Sequence, residues 1–201
     1  MSEEIVFHHN PQSRAAIAHW MLEETGLPYR VSPIDFQSGQ NRQPEFLKIN
    51  PMGKIPTIEH RGVVVTETAA ILAYLADLAP DKALAPAVGT PERGAWYRWL
   101  VFGAASFEPA VVDVMMKRDA VNKQMAGWGS FDDVLATLRG ELSSRDWLVG
   151  GRFTAADLYI AAELSWTGMF GAPGVKGDPV FDAYVARCTD RDAWRRANSP
   201  T

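Results

Sequence analysis

Asn50-Pro51-Met52-Gly53-Lys54-Ile55-Pro56-Thr57-Ile58 is followed nine residues later by Glu67-Thr68-Ala69-Ala70-Ile71, and the two segments have the makings of two halves of one peptide-binding surface. A Pro placed between a Gly turn and an apolar strand is where a chain can keep a cis bond, which turns the N–H and C=O of Ile55 outward toward an extended peptide. The hairpin Thr57 to Val65, turning at His60-Arg61-Gly62, then delivers Glu67 and Thr68 to the start of an apolar-periodic helix, Ala69 to Leu78. A hydroxyl beside the free N–H groups of a helix start makes a carboxylate site. Each segment also has a plain structural reading: Lys54, Ile55 and Pro56 as a strand entry, Glu67 and Thr68 as a helix start with a capping role.

The elements that must position these residues can be read outward from them. Ile5-Val6-Phe7 is a short apolar strand, Ser13 to Thr25 is helical with Ala16, Ile17, Trp20 and Met21 on one face and ends at Gly26, and Tyr29 to Ile34 alternates as a second strand. Asp35 to Arg42 is polar and loop-like, and Pro44 to Ile49 reads as a short helix. A βαβ unit followed by an antiparallel hairpin and a helix is the thioredoxin-like arrangement, with a mixed four-stranded sheet. Prolines from Pro80 through Pro86 to Pro91 break the pattern and suit a linker.

Helical periodicity alone follows, over Glu92 to Lys117, Asp132 to Ser143, Ala155 to Met169 and Pro179 to Arg187. The expected class is therefore α/β plus all-α. A thioredoxin-like domain spans 1–80, a linker 81–91 and an all-helical domain 92–201. Within the latter, Phe107-Glu108-Pro109 should bend its helix, and Thr154 with Asp157 forms a capping box that starts a buried helix, a folding device rather than a catalytic one.

Composition closes off several functions. The chain has 201 residues, 47% of them hydrophobic, and a net charge of −4 with both signs interspersed. That leaves no electrostatic footprint for nucleic acid or a membrane surface. No apolar stretch is long enough to span a bilayer and the first residues are acidic, unlike a signal peptide, so a cytoplasmic protein is expected. Cys188 is the sole cysteine, which excludes an internal disulfide, a Cys-x-x-Cys redox pair and a cysteine zinc site. His8, His9, His19 and His60 lack metal-type spacing, and His8 and His9 read as the end of a strand, so no metal is expected. Any thiol chemistry must use a thiol that the substrate brings.

The proline and the acidic-Thr pair, in this order and spacing, resemble the glutathione transferase family, and Phe153-Thr154-Ala155-Ala156-Asp157 resembles a second signature of it. The likeness covers nearly the whole chain and is most specific in residues 50 to 72. It implies a cytosolic homodimer in which glutathione, the co-substrate, is held by Lys54, Ile55, Pro56, Glu67 and Thr68, and its thiolate attacks or reduces a small apolar electrophile in detoxification. The segment after the first strand, His9-Asn10-Pro11-Gln12-Ser13-Arg14-Ala15, is where the family places a Tyr, Ser or Cys beside the sulfur. This chain departs from that pattern. Counting back from Gly26 puts the beta-class cysteine position on Arg14, with Ser13 beside it, whereas counting forward from the strand puts the serine of theta- and tau-type enzymes on Asn10. The Pro-Gln-Ser-Arg-Ala run looks most like the bacterial chi class, in which an arginine is implicated.

Ionising a thiol of pKa near ~8.5 takes about 1.4 kcal/mol of preference for the thiolate per unit of depression. Arg14 can supply it as a cation, Ser13 as a hydroxyl donor and the helix start as a dipole. The simple alternatives are Ser13 as an N-cap and Arg14 as a solvated surface residue. Phe102, Phe107 and Trp166 are candidates for the electrophile pocket. Two further readings stay open: a non-catalytic binding or protein-interaction module of the same fold, and a glutathione-dependent isomerase or dehalogenase; the missing zeta-type Ser-Ser-Cys run argues against the isomerase.

Overall fold

The computed structural model describes residues 4–118, 122 and 124–199. The chain divides into two units, Met1–Lys82 with Asp192–Thr201, and Ala83–Arg191. In the first, β1 (Ile5–His9), α1 (Ala15–Thr25), β2 (Tyr29–Pro33), α2 (Pro44–Ile49), β3 (Thr57–His60), β4 (Val63–Thr66) and α3 (Thr68–Leu78) follow in order. Helix α1 stops where Gly26 takes the left-handed conformation, φ 66°, and returns its N–H to the Leu22 carbonyl. The β3–β4 reversal falls on Arg61 and Gly62, both at positive φ, the primed two-residue turn that matches strand twist.

The sheet order is β2-β1-β3-β4, with β1 parallel to β2 and antiparallel to β3, and β3 antiparallel to β4. The fold class is that of a thioredoxin-like unit with a mixed four-stranded sheet and a helical unit. Register decides where chemistry can gather. His8 pairs with Thr57 and Thr57 with Thr66, so the loop after β1, the residues entering β3 and those leaving β4 share one end of the sheet. Beneath them Phe7, Trp20, Met21, Leu22, Ile58, Ile71, Leu72 and Leu75 are all fully buried, at about 1.5–3 kcal/mol for each large apolar side chain.

The second unit holds α4 (Pro91–Phe102), a π-helical turn (Gly103–Phe107), α5 (Glu108–Met115), α6 (Phe131–Leu142), α7 (Ala155–Met169) and α8 (Pro179–Thr189). The helix expected from Glu92 to Lys117 is interrupted because Pro109 has no N–H to give. The turn before it widens, and the Glu108 N–H reaches back five residues to the Gly103 carbonyl. Gly103 also permits a close helix approach, since a Cβ there would stand 2.6 Å from the Tyr159 ring.

Sequence periodicity did not show the last helix, α9 (Asp192–Ala197). The expected helical domain ran to residue 201, yet Asp192–Thr201 groups with the first unit. The reason is local: Trp194 packs edge-on against Trp20 of α1 with ring centroids 4.8 Å apart, and Arg196 bonds both the carboxylate and the carbonyl of Glu23.

Candidate functional site

The peptide edge is built by the turn before β3. Asn50, 4% exposed, donates to the Lys54 carbonyl (2.8 Å) and the Thr57 hydroxyl (3.1 Å) and accepts from the Met52 N–H. The carbonyls of Gly53 and Met52 are held in turn by Asn41 and Arg42. Gly53 sits at φ 60°, and a Cβ there would meet the Asn41 carbonyl at 2.7 Å, so only glycine fits. The braced turn presents Ile55, whose bond to Pro56 is cis. The Ile55 side chain is buried, while its N–H and C=O have no protein partner among the described residues. Lys54 has an exposed side chain, and its carbonyl also accepts from the Thr57 hydroxyl.

At the end of β4 the chain enters α3 through Glu67, which lies at φ 65°, ψ 119° and caps the helix with no side-chain bond. The first intrahelical bond runs from Ile71 N–H to the Glu67 carbonyl. The N–H groups of Thr68, Ala69 and Ala70 and the Thr68 hydroxyl have no protein partner among the described residues. Four donors thus converge at one helix start, with the exposed Glu67 carboxylate beside them accepting from the Thr66 hydroxyl. Such a group accepts a carboxylate on its amides and an ammonium on its acid.

The loop after β1 is more tightly wired than the sequence suggests. Asn10 donates from Nδ2 to the Ile34 carbonyl (2.8 Å) and accepts the Gln12 N–H on Oδ1 (2.9 Å), tying the ends of β1 and β2 together. Ser13 Oγ donates to the Asn10 carbonyl (2.7 Å) and accepts the Ala15 N–H (3.1 Å). A hydroxyl has one proton, and that of Ser13 is already committed, so Ser13 fastens the turn leading into α1 here. Asn10 keeps one amide proton to offer. Arg14 is half-buried with its Nε atom inside the protein, unlike a freely solvated surface arginine. Burial, helped by repulsion from His19, pushes His9 down to about 4. That imidazole is neutral near pH 7, which leaves Arg14 as the one permanent charge between residues 9 and 14.

The remaining histidines do structural work. His8 bonds Glu59 (2.9 Å) and packs on Phe46, and His60 bonds the Tyr74 hydroxyl. Among the described residues no group of three or more His, Cys, Asp or Glu could hold a metal ion, and no helix is long and apolar enough to cross a membrane.

In the helical unit the three aromatic candidates part company. Phe107 is 0% exposed and belongs to the core, a correction to its placing at an electrophile pocket; the π-turn aims it inward. Phe102 is half-buried on a groove of about 430 Å³ that it shares with Tyr97, Arg98, Val101 and Ser106. Trp166 is half-buried and leans on Phe170 at 5.0 Å. Asp157 accepts from the N–H and hydroxyl of Thr154, the Leu148 N–H and the Tyr184 hydroxyl, a closed capping site with no reach to substrate.

Residues 2–77 match the glutathione S-transferase N-terminal domain and residues 108–192 match the glutathione S-transferase C-terminal domain. The chain belongs to the glutathione S-transferase family. It is 27% identical to glutathione S-transferase GST-4.5 of Xanthomonas campestris, over 84% of this chain and 85% of that protein. A sphingomonad glutathione S-transferase, solved complexed with glutathione, superposes at TM-score 0.79 with 30% identity, and 96% of each chain is covered. The glutathione transferase of Methylococcus capsulatus superposes at 0.80 with 29% identity and the same coverage.

Sequence reasoning missed Asn50 as the brace of the peptide edge, although an Asn-Pro-x-Gly turn carries the signal for it. It also missed the locking of Ser13 by Asn10, for which no sequence signal exists, since it depends on where β1 ends.

Proposed function

We propose that the protein is a glutathione transferase that binds reduced glutathione, favours its thiolate and transfers it to, or uses it to reduce, a small apolar electrophile. The observation that carries this is the set of donors at the α3 start, left without a protein partner among the described residues. In this reading the γ-glutamyl carboxylate lies on Thr68 and the neighbouring amides, the γ-glutamyl ammonium meets Glu67, and the cysteinyl backbone pairs with the N–H and C=O of Ile55. Lys54 and Pro56 flank that strand. The sulfur lies toward the loop after β1, where Arg14 supplies the cation and Asn10 its spare amide proton. The committed hydroxyl of Ser13 ranks it below Arg14, as the likeness to the chi class also suggests.

The bound glutathione of the sphingomonad relative supports the ligand. The exposed Tyr97 and Val101 on α4 support a C₂ homodimer through that face, and the lone, buried Cys188 suits a cytoplasmic enzyme. Phe102 and Trp166 remain the electrophile-side candidates. The test is titration calorimetry with reduced glutathione together with a conjugation assay on an aryl halide. Binding with turnover, and a bound thiol that titrates below the free one, is expected. Absence of binding overturns the reading, and binding without turnover or thiol shift replaces it by the binding-module alternative.

A further inference from the structure

The last helix of the chain is fastened to the first. Trp194 of α9 stands edge-on to Trp20, which is 0% exposed. Arg196 holds the Glu23 carboxylate through Nε and the Glu23 carbonyl through Nη2 at 2.9 Å. Glu23 also takes the Tyr29 hydroxyl proton at 2.6 Å, and His19 Nε2 lies 2.9 Å from that same oxygen. With the phenol proton spent on Glu23, His19 must donate. The chain Arg196, Glu23, Tyr29, His19 therefore ties α9 to the C-terminal half of α1 and to the first residue of β2. At the other end of α1, Ser13 accepts the Ala15 N–H and donates to the carbonyl of Asn10, which itself bonds the Ile34 carbonyl.

We propose that α9 is a clamp on α1 that sets where Asn10, Ser13 and Arg14 stand, with Trp194 and Arg196 as positioning residues for thiolate formation. The part concerning the thiol rests on the function proposed above. Helix α1 has 11 residues and is about 16 Å long at 1.5 Å per residue. A tilt of about 10° at its clamped half moves its start by nearly ~3 Å, and a misplacement of about 1 Å can cost a hundredfold in rate. Ile55 and Thr68 lie outside α1, so the clamp should act chiefly on turnover rather than on the hold on glutathione.

The test compares the full-length protein with Arg196→Ala, Trp194→Ala and Arg196→Lys. In the protein without ligand, exchange of the Ala16 and Ile17 amides, which bond Ser13 and Arg14 carbonyls, should quicken about tenfold in the two alanine variants while Phe7 and Ile58 hold theirs. The lysine variant, which keeps the charge but loses the fork, should fall between. With glutathione, kcat should drop about tenfold with KM for glutathione within about twofold, and the bound thiol should titrate higher. Unchanged exchange at Ala16 and Ile17, or quickening spread evenly over the whole unit, overturns the clamp. Localised quickening with unchanged kcat and thiol titration overturns the positioning role. Localised quickening in a protein whose wild type binds no glutathione keeps the clamp on α1 and sinks the proposed function instead.

Discussion

Helices α7 and α3 begin in opposite ways. At α7, Thr154 and Asp157 exchange bonds in a capping box, and Leu148 and Tyr184 fill what remains of the carboxylate, all in residues that are fully buried. At α3, Glu67 stands at positive φ, no side chain caps the helix, and three amides and a hydroxyl go without a protein partner among the described residues. Helix termini are ordinarily satisfied, and a cap is worth roughly 1 kcal/mol. A start that forgoes this and holds a residue at φ 65° stores cost at one point, and such cost gathers where something else must bind. The first arrangement serves folding alone, and the second is an unfinished bonding pattern, which the function proposed above assigns to a ligand carboxylate.

The comparison breaks most visibly at α7. Asp157→Ala should strand four buried donors, at about 1–3 kcal/mol each, and lower stability in urea unfolding by on the order of 4 kcal/mol. Glutathione affinity per folded molecule should not change. A loss under about 1 kcal/mol would mean that the closed start is not what holds this helix.

Glu67→Gly sharpens the contrast from the other side. Relief of a positive φ is worth about 1–3 kcal/mol, less about 0.5–1 kcal/mol for the added freedom of the unfolded chain. The variant should gain about 1 kcal/mol of stability while losing about 1.5 kcal/mol of glutathione affinity with the carboxylate. A variant that is both weaker in folding and equal in binding would show that the conformation at Glu67 is not kept for a ligand.

The smallest effect is one of pH. Burial lowers His9 to about 4 and lowers His19 too. Folded pKa values below the unfolded 6.5 mean that the unfolded chain takes up protons first as pH falls. Stability should therefore be full above about pH 6.5 and decline toward about 4. His9→Gln should flatten the decline seen in thermal unfolding between pH 6.5 and 4.5. The α7 cap holds no histidine, so a decline that survives removal of both His9 and His19 would place the effect elsewhere.

How much of this could be read beforehand follows from range. Helix α7 is written locally, in Thr154 and Asp157 and the periodicity after them, and the structure gives the same bounds, Ala155–Met169. The β3–β4 hairpin and the helix after it were legible for the same reason: turn residues and alternation act over a few positions. The hidden features are those that depend on the exact course of the backbone or on distant partners. Nothing near Ser13 in sequence says that the Asn10 carbonyl will take its proton. Phe107 shares its helical spacing with Phe102, and only the widened turn ahead of Pro109 separates the buried ring from the half-exposed one. Helix α9 is six residues long, too short to stand by itself, and it exists through Trp20 and Glu23, about 170 positions away.

The central claim, that the open start of α3 is completed by a ligand carboxylate, is tested most directly by a double-mutant cycle across that contact. Calorimetry would measure reduced glutathione, and an analogue with its γ-glutamyl α-carboxylate replaced by hydrogen, against wild type and Thr68→Ala. The single changes should each cost about 1.5–3 kcal/mol, and the combined loss should fall short of their sum by about 1 kcal/mol or more, the coupling of a contact shared by both. Losses that add within about 0.3 kcal/mol, in variants that stay folded, would contradict the assignment of that carboxylate to Thr68 and with it the reading of the α3 start.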